Sequence, residues 1–137
     1  MRPPRRARAE RARLLAEILA TYGEVRWHLR RHDLPGVVAR LRRPQGRRRR
    51  RAPALAEADA RRCAHAVVRV LRLLPTDSRC LVRSLVLLAV LARRDARAEL
   101  VIGVMPGPRF AAHAWLELQG VPLLNAGPAA AGRLVEL

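Results

Sequence analysis

Three residues of this chain carry the side chains that thiol-based acyl transfer requires: Cys80, His113 and Asn125. A cysteine can attack a carbonyl carbon, an imidazole can take and return the proton, and an amide oxygen can hold that imidazole in one tautomer. Cys80 follows Thr76-Asp77-Ser78, a run of helix-capping types, and precedes an apolar segment over residues 85–91. This places it in the first turn of a helix. Unpaired backbone N–H groups and the helix dipole favour a thiolate there, and the same N–H groups could help to hold an oxyanion. Position alone leaves a second reading, that of a small buried hydrophobe. Cys63 supplies the contrast, since it sits mid-helix on an apolar stripe and reads as packing.

His113 lies in the alternating run Ala112-His113-Ala114-Trp115-Leu116-Glu117. Period two puts Ala114, Leu116 and Leu118 on one face, which reads as core, and His113, Trp115 and Glu117 on the other, which reads as a cleft wall. An exposed or locally bonded histidine is the alternative. Gly120 supplies a turn. A three-residue loop over residues 118–120 would pair Glu117 with Val121, Trp115 with Leu123 and His113 with Asn125, bringing an amide oxygen across from the imidazole. A two-residue turn would place Asn125 on the other face. Taken alone, Asn125 reads as a turn residue.

The elements that must hold these residues follow from patterning. Residues 8–30 read as an amphipathic helix with Leu14, Ile18, Tyr22 and Val25 on one stripe, and a short helix is expected over residues 34–41. Residues 55–74 read as a helix with Cys63, Val67, Val70 and Leu74 aligned, stopped by Pro75. A helix over residues 79–94 is apolar on every side in its interior, so it belongs at the centre of a domain. Strands are expected over residues 99–105, 112–118 and 121–125. Helices followed by a small antiparallel sheet make an α+β arrangement.

The chain has 137 residues and divides at Pro44-Gln45-Gly46 and the arginine run 47–51. Residues 1–51 form a basic helical extension and linker, and residues 52–137 the domain with the chemistry. All 28 basic residues are arginine, against 11 acidic ones, a net charge of +17. Such a field attracts nucleic acid, anionic lipid or acidic peptide without choosing among them. The few aromatics, Tyr22, Trp27, Phe110 and Trp115, are expected as isolated large pieces of an aliphatic core. They are not interleaved with the arginines, so stacking platforms for nucleic acid are missing. Two cysteines point to a reduced, cytoplasmic setting rather than a disulfide scaffold. Glu10 and Glu17 interrupt any signal-like stretch, and the longest apolar run, residues 85–92, is too short to span a bilayer. His28, His32 and His65 lack metal-ligand spacing with one another or with the cysteines. No phosphate loop or dinucleotide fingerprint occurs, so neither a metal nor a cofactor is assigned.

Taken together, three ordered segments resemble one family. Arg79-Cys80-Leu81-Val82-Arg83-Ser84-Leu85 is similar to a cysteine helix of the form C-L-x-R-S-L. Val101-Ile102-Gly103-Val104 resembles the strand that precedes its histidine, and Ala112-His113-Ala114-Trp115-Leu116-Glu117 with Gly120 resembles its A-H-A-W-V-E…G signature. The family is the lasso-peptide leader peptidases, which have a transglutaminase-like, papain-related fold. The resemblance covers about residues 55–137. It implies a cysteine peptidase with Cys80 as nucleophile and His113 as general base and then acid. Asn125 stands where an aspartate is usual, and Ser78, Arg79, Arg83, Ser84, Trp115 and Glu117 are near the site. The resemblance further implies the stand-alone peptidase half of a split maturation protein. Its partners would be the precursor peptide, a small leader-binding protein and, downstream, the ATP-dependent ring-closing enzyme (the lasso cyclase). Two alternatives stand beside it: an amide-forming transglutaminase on the same scaffold, and a charge-driven nucleic-acid binder.

Overall fold

A computed structural model describes residues 5–43, 55–74, 80–105, 107–124 and 132–137. Four helices come first: α1 (Arg5–Leu29), α2 (Leu34–Leu41), α3 (Glu57–Leu71) and α4 (Cys80–Ala92). Four strands follow: β1 (Ala98–Met105), β2 (Ala111–Leu118), β3 (Val121–Pro122) and β4 (Arg133–Glu136). They form one antiparallel sheet in the order β3-β2-β1-β4. The α+β class is therefore as the patterning requires, with β4 added to the expected strands.

α4 is the centre of the molecule. Residues 84–91 of this helix are all buried, because α1, α2 and α3 pack on it from one side and β1 and β2 from the other. Ile18 and Val25 of α1, Val37, Val38 and Leu41 of α2, and Ala60, Cys63, Val67 and Leu71 of α3 join it in a single core with Leu100, Ala114 and Leu116 of the sheet. Local chemistry sets each helix. Asp33 caps α2 by accepting the Gly36 N–H at 3.2 Å, with Pro35 in the first turn, where its missing N–H costs nothing. α3 has no side-chain cap but carries Glu57 and Asp59 in its first turn, where the helix dipole favours them.

Ion pairs fasten α1 to the end of α4. Arg94 donates to both oxygens of Glu17, at 2.9 and 2.8 Å, and Arg93 donates to Glu24 at 2.8 Å and to the Thr21 hydroxyl. The Glu17 hydrogen bond raises Arg94 above the ordinary arginine value, against the effect of burial. Arg42, just past α2, donates to the carbonyls of Ala98 and Leu137 and so ties the helical side to the sheet.

Two expectations are corrected. The β2–β3 hairpin turns through two residues, Gln119 and Gly120, both at positive φ (53° and 77°). This is the backbone of a primed hairpin turn. Leu118 therefore pairs with Val121 and Glu117 with Pro122, not Glu117 with Val121. Nor do all the aromatics share the core, although Tyr22 packs against it. Trp115 is fully buried, whereas Trp27 and Phe110 are 49% and 81% exposed. Among the described residues no helix is long and apolar enough to cross a membrane.

Candidate functional site

Cys80 is the first residue of α4 and is half-buried. Its Sγ accepts a hydrogen bond from the Ala114 N–H at 3.4 Å. One turn further along the same helix, the buried Ser84 hydroxyl donates to the Ala114 carbonyl at 3.2 Å. Sheet geometry explains why Ala114 is available. In an antiparallel strand the N–H and C=O of one residue point to the same side, and alternate residues point to opposite sides. The Leu116 carbonyl accepts from the Leu123 N–H on the β3 side, so Ala114 turns its polar groups the same way. The described ladder with β3 does not extend as far as Ala114. The start of α4 takes the place of a strand there, with a thiol and a hydroxyl filling the two positions.

This docking puts Cys80 against the backbone that carries His113. His113 is half-buried and faces Gly103 across the β1–β2 ladder, a residue with no side chain to crowd the imidazole. Its ring stacks on Trp115, with centroids 6.0 Å apart and planes 22° from parallel. Trp115, Val101 and Leu124 make a second, small apolar cluster on this face of the sheet, so the face expected as a cleft wall is itself partly packed. Glu117 is buried at 4% exposure. It accepts from the Trp115 indole N–H at 2.8 Å and from both terminal nitrogens of Arg133 at 3.0 and 3.1 Å.

The structure thus places Cys80, Ser84, His113, Trp115 and Glu117 around one stretch of β2. Arg83, half-buried, stands on α4 beside Ser84. Ser78, Arg79 and Asn125, and the expected Thr76-Asp77-Ser78 cap, lie outside the described residues. The three-residue loop that would have set Asn125 across from His113 is not the loop observed. Arg133 is the residue that sequence reasoning missed. It sits in a strand of only four residues, every one exposed, so no hydrophobic alternation announces it.

The thiols differ in environment. Burial pushes the Cys63 thiol up, with a smaller opposing pull from Arg94, which suits packing and not nucleophilic work. Cys80 has a backbone N–H on its sulfur and a helix N-terminus beneath it. Such a site can attack a carbonyl, form a thioester and pass the acyl group to water or an amine. An open pocket of about 890 Å³ lies elsewhere, at the opposite end of α4, lined in part by Arg42, Leu88, Ala92 and Arg97. It contains none of these groups.

No curated protein and no solved structure matches the chain at a significant level. A known group of typically cysteine-dependent enzymes does match. Residues 23–136 match its family model, described as the Transglutaminase-like superfamily, and the chain belongs to that superfamily.

Proposed function

We propose that the chain is a cysteine peptidase that removes the leader segment of a lasso-peptide precursor. The observation that carries the reading is the docking of Cys80 onto Ala114, next to His113. The C-L-V-R-S-L and A-H-A-W-L-E segments, which resemble the leader peptidases, supply the substrate class.

In this mechanism His113 takes the Cys80 proton and the thiolate attacks the carbonyl carbon at the leader–core junction. Negative charge develops on the carbonyl oxygen, and the unpaired backbone N–H groups of the first turn of α4 are proposed to stabilise it. The C–N bond then breaks, and the imidazolium gives its proton to the departing amine of the core peptide. The leader remains as a thioester on Cys80. A water molecule, deprotonated by His113, attacks the thioester, and Cys80 leaves as thiolate while the leader departs as a carboxylic acid. Asn125 is proposed to orient the imidazole. A small leader-binding protein is proposed to present the precursor, and the ATP-dependent cyclase to act on the released core.

Membership in the superfamily favours a second reading on the same residues, in which an amine replaces water as the acyl acceptor. Mass spectrometry of the precursor incubated with wild type and Cys80→Ala, with and without the leader-binding protein, separates the two. Hydrolysis gives two fragments whose masses sum to the precursor plus water. Amine transfer adds no water. A folded protein that leaves the precursor intact with the partner present overturns the peptidase reading.

A further inference from the structure

We propose that Arg133, Glu117 and Trp115 act as a positioning relay that fixes the His113 imidazole for its work as base and acid. The inference deepens the proposed function and rests on His113 as the base.

Glu117 is the key to the arrangement. A carboxylate at 4% exposure is costly unless its oxygens are satisfied by charge and hydrogen bonds. Oε1 accepts from the Trp115 indole and from Arg133 Nη1, and Oε2 from Arg133 Nη2. The need for a cation is sharpened by Glu99, which lies directly across from Glu117 in the β1–β2 register. Like charges in that position repel. Arg133 reaches Glu117 from β4, on the far side of β1, and also holds Glu136 at 2.6 and 2.9 Å. Its approach depends on a tight backbone contact, since a Cβ at Gly132 would lie 2.6 Å from the Val104 carbonyl oxygen.

Trp115 is fully buried, and its N–H would have no acceptor of this strength without Glu117. Packing against Val101 and Leu124 and the bond to Glu117 therefore set the indole plane. His113 lies nearly parallel to that plane at 6.0 Å. A fixed aromatic face restricts the imidazole to fewer orientations, and its electron-rich surface attracts an imidazolium. Both effects help the step in which His113 carries the proton. Among the described residues, the charged groups on this face include Glu117 of β2, Glu99 of β1, and Arg133 and Glu136 of β4.

Indole emission tests the relay without any substrate, because an imidazolium in contact quenches an excited indole. The chain has two tryptophans, and Trp27 lies against His28 and His32, so the measurement is made in a Trp27→Phe background. Trp115 emission is expected to fall in a single step as pH is lowered, and His113→Gln is expected to abolish the step. Absence of the step overturns the proposal. Arg133→Ala is expected to lose most of the step and, with the precursor, to lower kcat roughly ten- to a hundredfold while KM stays within about twofold. Arg133→Lys keeps the charge and not the fork, so it should fall between. If Arg133→Ala does not fold, Glu117→Gln, of nearly the same volume, carries the same expectation. A folded variant of either kind with the full emission step and wild-type kcat overturns the relay. A protein that cleaves nothing yet shows an Arg133-dependent step refutes the peptidase reading alone.

Discussion

Cys63 and Cys80 lie on adjacent helices, α3 and α4, but in different surroundings. Cys63 is 8% exposed, and burial holds its thiol above the ordinary value of 9.0. The folded state therefore keeps the proton longer than the unfolded one. The linked contribution to stability is complete below about pH 9 and is lost as pH climbs through the raised value. Wild type should accordingly lose urea stability more steeply than Cys63→Ala between neutral pH and pH 10, and equal slopes would refute this. At neutral pH Cys63→Ala should cost about 1–2 kcal/mol as a packing loss and leave turnover intact. Cys80→Ala should abolish turnover with the fold unchanged. Alkylation should mark Cys80 first, as peptide mapping of briefly treated protein would reveal.

Among the elements, the docking of α4 on β2 is the contact with most bearing on chemistry. Ser84→Ala removes the donor to the buried Ala114 carbonyl, at a cost of about 1–3 kcal/mol. Because Ser84 and Cys80 hold the same residue, the variant should also lower kcat more than it raises KM. A wild-type kcat with reduced thermal stability would show that Ser84 serves the fold alone. This helix was the most legible part of the sequence. An apolar run on all sides admits only a central position, and capping types ahead of it put Cys80 in its first turn. The β2 alternation was also legible, and it placed His113, Trp115 and Glu117 together. The hairpin register was not, because Gly120 suits both loop lengths and the deciding residue is Gln119. A glutamine at positive φ leaves no mark in a sequence. β4 escaped for a different reason. Its stabilisation comes from ladder bonds to β1 and from Arg133, neither of which has a periodic signature. The partner of Glu117 was hidden with it.

On the scale of the whole molecule, the helices before the arginine run and the elements after it share one core. Ile18, Val25, Val37 and Leu41 pack with α4, and Glu17 and Glu24 bind Arg94 and Arg93. A fragment of residues 52–137 would leave an apolar flank of α4 facing water. It should lack a cooperative thermal transition and bind hydrophobic dyes, whereas the same fragment mixed with residues 1–51 should regain a transition. A cooperative melt of the fragment alone would refute this dependence.

The central position of α4 also has a consequence for the order in which the chain is made. The ribosome delivers α1, α2 and α3 before α4, so one flank of the apolar helix meets its cover on emergence. The other flank must wait for β1 and β2. The sheet itself is complete only when residues 133–137 arrive, since Leu137 exchanges hydrogen bonds with Leu100 of β1 at 2.7 and 2.8 Å. During that interval an exposed aliphatic surface coexists with an open strand edge, the combination most prone to intermolecular pairing. Nascent chains stalled before β4 are therefore the species on which a chaperone would act.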